Sequence, residues 1–165
     1  LKLMGIKISK FNIKNYKGEK IADIIIKSTD KIKPIKCPVK FNSSAIDEFL
    51  LIFLVADKAK GISFFKNLSE LNQKESPRLK WGEKILNEMG IKTIATSNSI
   101  KIFGNPNLKI NNKIVIKKYL KDHRVFMTSV IAALAFGGKW EIHDKDSINS
   151  SFPTFLNIIK LLKND

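Results

Sequence analysis

The two polar clusters of this sequence each contain one of its two arginines. The first cluster spans residues 74–78 (KESPR) and ends at Arg78, and the second spans residues 121–124 (KDHR) and ends at Arg124. Of the 30 lysine and arginine residues, only these two are arginines. A guanidinium binds a carboxylate or phosphate through two parallel hydrogen bonds, which a lysine ammonium cannot reproduce. The clusters therefore predict a site for anionic groups, with chance retention on the surface as the alternative.

Both clusters lie at the start of a predicted helix. Apolar residues on one helical face predict a helix over 78–89, and long apolar stretches predict helices over 47–59 and 122–136. The latter two begin at Asp47 and Asp122, and each Asp could simply cap its helix. Helix N-termini also attract anions through their free N–H groups and dipole. If these helix starts converge, they form an anion pocket with two arginines, one lysine and three carboxylates.

The order of the predicted elements repeats along the chain. Residues 3–8 (LMGIKI) recur as residues 88–93 (EMGIKT), and each copy ends an amphipathic helix at a glycine. This order predicts an α+β (mixed α/β) fold of repeated βαβαββ units. The predicted elements are, in chain order, strands 6–13 and 21–27, a short extended stretch 37–41, helix 47–59, strand 62–68, helix 78–89, strands 91–97 and 99–103, extended stretch 113–116, helix 122–136, strand 140–144 and helix 153–163.

The composition limits the class of protein. A chain of 165 residues with 44% hydrophobic residues can form one domain or two small ones. Its single cysteine, Cys37, excludes an internal disulfide and predicts a reducing, cytoplasmic location. No apolar run reaches the roughly 20 residues of a membrane span, so we expect no membrane partner. Residues 1–5 read as the end of a helix, and we expect the chain to be part of a longer protein.

The net charge of +15 raises the possibility of nucleic-acid binding. However, the lysines are scattered, and the aromatic residues are mostly phenylalanines within apolar runs rather than a base-stacking platform. We therefore expect no nucleic-acid partner and instead a cleft that favours anionic small molecules. A basic nucleic-acid-binding module remains the alternative from another functional class.

Several separated motifs resemble the second half of 5-enolpyruvylshikimate-3-phosphate synthases. They have the order and spacing of that family and lie at 46–48 (IDE), 68–71 (LSEL), 74–79 (KESPRL), 122–127 (DHRVFM) and 151–155 (SFPTF). The resemblance covers essentially the whole chain. It implies two domains of three βαβαββ units each, with the active site in the cleft between them. We therefore expect residues 1–165 to be one incomplete C-terminal domain: 1–68 the end of one repeat and the start of the next, 69–144 the central repeat region, and 145–165 the terminal helix.

The resemblance implies a reaction as well. The family transfers the enolpyruvyl group of phosphoenolpyruvate to shikimate 3-phosphate, releases phosphate and uses no metal or organic cofactor. Asp47 matches the residue that contacts the accepting hydroxyl and takes part in proton transfer, and Glu75 matches the carboxylate that exchanges a proton with the methylene carbon. The other matches are binding residues: Lys74 near the accepting hydroxyl, Arg78 and Arg124 on phosphoenolpyruvate, and His123 as a neighbour that orients the site.

Three positions depart from the pattern of the family. Pro77, Asn72 and Ser150 stand where many members have an aspartate, an arginine and a lysine, respectively. An inactive remnant is therefore an alternative, while the sister transferase that acts on a nucleotide sugar fits the two arginine motifs less well. The family's other substrate contacts lie upstream of Leu1. We therefore expect the chain alone to be inactive and the missing N-terminal part of the enzyme to be its partner.

Overall fold

The computed structural model describes residues 1–29 and 31–162 and has the mixed α/β architecture that the sequence predicts. Short 3-10 turns separate several of its strands and helices. The strands and α-helices of the described residues are, in chain order, β1 (Lys7–Tyr16), β2 (Glu19–Lys27), α1 (Phe49–Asp57), β3 (Gly61–Phe65), α2 (Arg78–Glu88), β4 (Thr93–Ala95), β5 (Ile100–Gly104), β6 (Lys113–Ile116), α3 (His123–Phe136), β7 (Lys139–Ile142) and α4 (Phe155–Leu161).

Two crossover helices connect parallel segments of the sheets. Strands β6 and β7 pair in parallel, and α3 lies between them in the chain. In the same way, Lys36 forms a parallel bridge with Phe64 of β3, and α1 lies between these two residues. Strand β5 then pairs antiparallel with both β3 and β4. The order of elements therefore follows the predicted strand–helix–strand–helix–strand–strand unit.

The core forms where α1 packs against α2 and the three-stranded sheet. Phe49, Phe53 and Phe65 are fully buried, and their rings contact one another at centroid distances of 5.2–6.0 Å. Burial of such a side chain contributes about 1.5–3 kcal/mol. Gly82 of α2 faces this cluster, and a Cβ atom there would lie 2.7 Å from the ring of Phe53. The absence of a side chain at Gly82 thus allows α1 and α2 to approach closely.

Several predicted boundaries differ from the structure. The first strand extends to Tyr16 because a bulge between Phe11 and Lys14, where Asn12 has a φ of 50°, keeps it paired with β2. Strand β3 ends at Phe65 rather than residue 68, since Asn67 adopts a φ of 58°, which is incompatible with an extended strand. The predicted helix 153–163 is shorter in the structure, where α4 covers Phe155–Leu161, and Lys163 lies outside the described residues.

The region before α1 is the largest correction to the predicted elements. The stretch 37–41 was expected to be extended, but it contains a 3-10 turn over Val39–Phe41. A second 3-10 turn covers Ser43–Glu48, so α1 begins at Phe49 and not at Asp47. The tighter turn fits a segment that begins with two serines, because serine side chains compete with helical backbone hydrogen bonds.

The hairpin of β1 and β2 exposes apolar side chains on the surface. Ile13, Tyr16, Ile24 and Ile26 are each more than half exposed. A two-stranded hairpin of this kind is marginally stable in water without a third strand or a helix against it. None of the helices in the described residues is long and apolar enough to cross a lipid bilayer.

Asp57, the last residue of α1, carries a carboxylate that is completely buried. Its Oδ1 atom accepts the backbone N–H of Asn105 at 3.2 Å, while Oδ2 has no hydrogen-bond partner among the described residues. Burial raises the pKa of Asp57 from 3.8 to about 6, and the hydrogen bond from Asn105 and the charge of Lys58 only partly oppose this shift. The negative end of the α1 dipole is also unfavourable for an ionised group here.

Asp57→Asn is therefore expected to stabilise the protein at pH 8. The folded-state pKa lies above the ordinary value, so this group favours folding below about pH 4, and that contribution is lost as the pH rises through 6. A shift of this size corresponds to at most about 3 kcal/mol. Chemical denaturation at pH 4, 6 and 8 measures the effect.

The matched control for this experiment is Asp146→Asn, which neutralises an exposed carboxylate. The difference in free energy of unfolding between Asp57→Asn and the natural chain should increase from pH 4 to pH 8. The same difference for Asp146→Asn should stay constant. An equal pH dependence of the Asp57 variant and the natural chain would contradict the assignment of a raised pKa to Asp57.

Candidate functional site

Arg78 lies at the centre of the candidate site. It is the first residue of α2, its side chain is 2% exposed, and each of its three guanidinium nitrogens donates to a different carboxylate. Nε lies 2.9 Å from Oδ2 of Asp122, Nη1 lies 2.8 Å from Oδ1 of Asp47, and Nη2 bonds to Glu75. A single planar cation thus connects the starts of α2 and α3 and the turn before α1.

Asp122 joins Arg78 to the start of α3. Its Oδ1 atom caps this helix by accepting the backbone N–H of Arg124 at 2.9 Å. Its Oδ2 atom accepts the Ser76 hydroxyl at 2.8 Å in addition to the Arg78 guanidinium. Burial raises the pKa of this carboxyl, but the hydrogen bonds from Arg78 and Ser76 outweigh it, so the net shift is downward. Asp122 is therefore an ionised carboxylate without exposure to water.

Arg124 approaches the same region from α3 and is more accessible. Its Nη1 atom donates to the backbone carbonyl of Asp47 at 2.8 Å and to Oε1 of Glu48 at 3.2 Å. Its Nη2 atom lies 3.6 Å from Oδ2 of Asp47. The Arg124 side chain is 28% exposed, compared with 2% for Arg78. One arginine is thus enclosed by protein groups, and the other remains open to a ligand.

We call this group of side chains the arginine cluster. Its four carboxylates outnumber its two guanidinium groups. Across residues 1–29 and 31–162, no group of His, Cys, Asp and Glu side chains is arranged to hold a metal ion. The cluster consists of Asp47, Glu48, Glu75, Arg78, Asp122 and Arg124.

The structure brings four of the six predicted site residues together and leaves the other two apart. Asp47, Glu75, Arg78 and Arg124 meet in the arginine cluster. Lys74 instead forms an ion pair with Glu70, where Nζ lies 3.4 Å from Oε1. His123 is the first residue of α3, and its ring makes no hydrogen bond within the described part of the chain.

The two predicted Asp caps have different outcomes. Asp122 caps α3 as expected, and the capping bond leaves its second oxygen free for Arg78 and Ser76. The prediction that Asp47 starts a helix is wrong, because it lies inside the 3-10 turn and directs its carboxylate to the two arginines. The interpretation of Asp47 as a simple cap therefore fails, and its side chain belongs to the site.

Sequence reasoning did not identify Glu48 and Ser76 as parts of the site. Both are sequence neighbours of predicted site residues, next to Asp47 and Glu75 respectively. Their position next to a predicted site residue is the only signal in the sequence. This position does not indicate which neighbouring side chain contacts a residue on a distant segment. Ser76 becomes important because Asp122, 46 residues later, is brought to its hydroxyl.

Asp122→Ala is expected to destabilise the protein by about 3–5 kcal/mol, since it leaves a buried guanidinium without its most enclosed partner and removes a helix cap. The folded-state pKa of Asp122 is lowered, so its contribution is present at neutral pH and is lost as the pH falls below the ordinary range of Asp. Urea denaturation at pH 7 and at pH 3 measures both effects.

Asp146→Ala provides the matched control, because Asp146 forms an exposed ion pair with Lys121. This control should change the midpoint of unfolding very little. If both variants lost the same stability, the Asp122–Arg78 pair would not have the structural role assigned to it.

The comparison with protein families gives one match that covers nearly the whole chain. Residues 1–159 match the model described as EPSP synthase (3-phosphoshikimate 1-carboxyvinyltransferase). A solved structure of EPSP synthase from Acinetobacter baumannii superposes with a TM-score of 0.86 at 33% identity, covering 97% of this chain and 37% of that chain. The similarity in fold is therefore accompanied by a similarity in sequence.

Curated relatives give the same result over most of the chain. The 3-phosphoshikimate 1-carboxyvinyltransferase of Ruthia magnifica is 39% identical over 96% of this chain and 35% of its own length. That of Thermodesulfovibrio yellowstonii is 33% identical over 99% of this chain and 37% of its own length. The chain thus spans little more than a third of the length of these relatives. By its sequence and by its fold, this chain belongs to the EPSP synthase family.

Proposed function

We propose that this chain forms one wall of an active site that transfers the enolpyruvyl group of phosphoenolpyruvate to shikimate 3-phosphate. The observation that carries the proposal is the convergence of both arginines on Asp47, which accepts from Arg78 at 2.8 Å and lies between the two guanidinium groups. This arrangement places a candidate base beside two groups that recognise anions. Membership of the EPSP synthase family supports the same reaction.

Phosphoenolpyruvate carries a carboxylate and a phosphate, and both are ligands for a guanidinium fork. Arg124 is the accessible fork of the cluster and would bind one of these groups directly. Arg78 is held by three carboxylates, and an anion reaches it only when one of them moves. Glu75 is the most exposed of the three, so its departure would open Arg78 to the substrate.

The reaction has an addition step and an elimination step, and both include proton transfer. In the addition, the accepting hydroxyl oxygen of shikimate 3-phosphate bonds to the central carbon of phosphoenolpyruvate, the hydroxyl loses its proton, and the methylene carbon gains one. In the elimination, the new methyl group loses a proton, phosphate leaves, and the double bond is restored. We assign the proton of the hydroxyl to Asp47 and the proton of the methylene carbon to Glu75.

Both carboxylates meet the steric requirement for these roles. The side chains of Asp47 and Glu75 are 42% and 53% exposed, so a ligand in the cleft can reach them. A carboxylate oxygen of either residue can accept a proton from the substrate. Donation by Glu75 requires it to take up a proton first. Two residues complete the proposed site: Lys74 near the accepting hydroxyl, and His123 as a neighbour that orients the site.

The three departures from the family pattern leave the arginine cluster intact. Pro77 supplies no carboxylate, yet Arg78 already has three carboxylate partners on other residues. Asn72 instead joins the turn before α2 to the loop after β4, because its Nδ2 donates to the carbonyl of Ser97 at 3.1 Å. Ser150 lies on the surface. These contacts favour the transferase over an inactive remnant.

We further propose that the upstream part of the enzyme is the partner of this chain. The exposed apolar side chains of the β1–β2 hairpin need a covering surface. An apolar cavity of about 460 Å³ also opens beside the chain start, lined by Met4, Ile35 and Phe49 among others. The relatives contain roughly twice as much additional chain, which is enough to cover both surfaces and to form the opposite wall of the cleft.

The proposal includes a cytoplasmic location and no nucleic-acid partner. The thiol of Cys37 is free, which fits a reducing compartment. Arg78 is enclosed by three carboxylates and is thus unavailable as a reader of guanine or of the nucleic-acid backbone, and Arg124 lies beside the carboxylates of Asp47 and Glu48. A small anionic substrate can enter between the two arginines, whereas a long polyanion would have to approach the acidic groups of the cluster.

Arg124→Lys is expected to lower kcat/KM for phosphate release by at least about 100-fold, since lysine lacks the guanidinium fork. The chain is mixed with the upstream region of the Ruthia magnifica relative, and phosphate release is measured with phosphoenolpyruvate and shikimate 3-phosphate. The control is Glu141→Gln, which changes an exposed ion pair outside the arginine cluster and should leave the activity unchanged.

The chain alone should release no phosphate, because the opposite wall of the cleft is absent. Circular dichroism of each variant separates a loss of activity from a loss of folding. Turnover by the chain alone would overturn the need for a partner. A folded mixture without activity, or full activity of the Arg124→Lys variant, would reject the proposed transferase site.

A further inference from the structure

We propose that Glu48 is a replaceable internal ligand of Arg124, which holds the guanidinium until an anionic group of the substrate takes its place. This inference rests on the proposed function, because it assigns the incoming anion to phosphoenolpyruvate. It adds a residue outside the proposed catalytic set and predicts that this residue sets the affinity for the substrate.

Atom Nη1 of Arg124 makes one fixed contact and one loose contact, while Nη2 lies 3.6 Å from Oδ2 of Asp47. The fixed contact runs from Nη1 to the backbone carbonyl of Asp47 at 2.8 Å, and the main chain cannot leave without unfolding the turn. The loose contact runs from the same nitrogen to Oε1 of Glu48 at 3.2 Å. Glu48 is 55% exposed, so its side chain can rotate into water at little cost. The carbonyl of Asp47 therefore orients the Arg124 side chain. The carboxylate of Glu48 occupies a position on Nη1 that an anionic group of the substrate could take.

Glu48 is free of any second structural role in the described part of the chain. It occupies the N-cap position of α1, but its side chain makes no capping hydrogen bond. Among the described residues, its carboxylate forms an ion pair only with Arg124. Asp122, in contrast, is buried and accepts three hydrogen bonds, from Ser76, Arg78 and Arg124. Removal of Glu48 from the fork thus leaves the rest of the cluster in place.

The charge balance of the arginine cluster requires such a release. Four carboxylates face two guanidinium groups, so the cluster is net negative before any ligand binds. A multiply charged anion is repelled unless a carboxylate withdraws or takes up a proton. Asp122 cannot withdraw, and Asp47 bridges both arginines. On Arg124, Glu48 is the carboxylate that can leave, and its departure exchanges one anion for another.

The test is calorimetric titration of phosphoenolpyruvate into the purified 165-residue chain at low ionic strength. Glu48→Gln removes the competing charge and should tighten binding by roughly three- to tenfold. Glu141→Gln also removes one exposed, ion-paired carboxylate and so controls for the change in net charge. It should change the affinity much less. Circular dichroism spectra of all variants establish that they fold alike.

A double-mutant cycle with Arg124→Lys separates competition for Arg124 from a general electrostatic effect. In the Arg124→Lys background, Glu48→Gln should lose most of its effect, since the fork that Glu48 occupies is gone. Equal tightening by Glu48→Gln and Glu141→Gln would overturn the proposal, as would a Glu48→Gln effect that persists in full beside Lys at position 124. Undetectable binding by Glu48→Gln at millimolar phosphoenolpyruvate would overturn it as well.

The two proposals fail in different ways. Tightening by Glu48→Gln that depends on Arg124, combined with no phosphate release by the reconstituted enzyme, would support the internal ligand and reject the transferase. Phosphate release that depends on Arg124, combined with no effect of Glu48→Gln on phosphoenolpyruvate affinity, would support the transferase and reject the internal ligand.

Discussion

The site depends on the burial of one positive charge, the guanidinium of Arg78. A buried cation is unstable unless anions surround it, and here three carboxylates from separate segments do so. These contacts position the turn before α1 and the starts of α2 and α3 relative to one another. The residues that stabilise the fold are thus also residues that the proposed reaction uses. Substitution at Arg78 or Asp122 changes both properties, whereas Arg124 and Glu48 lie at the open side, where function can be altered with less effect on stability.

The close packing of the helices makes this arrangement possible. Gly82 lets α2 approach the aromatic rings of α1, and the Asp122 cap fixes the direction in which α3 begins. The turn before α1 and the start of α3 both bring polar side chains to this region. Equivalent positions of two repeated units thus meet at one site. The exposed β1–β2 hairpin and the apolar cavity beside the chain start lie outside this region. The chain therefore combines a well-packed site with exposed apolar surfaces elsewhere.

The fold class and the two arginines could be predicted from the sequence, since periodic apolar residues define the helices and rare guanidinium groups mark the clusters. The start of α1 could not, because Ser43 and Ser44 favour a 3-10 turn over a helix that the apolar pattern alone would extend. The partners of Arg78 could be narrowed to nearby carboxylates, but Glu48 and Ser76 enter the site through contacts between distant segments. The buried carboxylate of Asp57 also has no sequence signal, since its hydrogen bond comes from the backbone of Asn105, 48 residues later in the chain.

The central claim is that Arg78 is enclosed by three carboxylates while Arg124 remains open to a ligand. Because the chain has only two arginines, a proton–nitrogen spectrum of the labelled protein contains only two Nε–H signals. The structure predicts one signal that exchanges slowly with water, is lost in Arg78→Lys and is unchanged in Arg124→Lys. The second signal should exchange rapidly and shift when phosphoenolpyruvate is added. Two signals with the same fast exchange would contradict the buried, carboxylate-bound Arg78 on which the site depends.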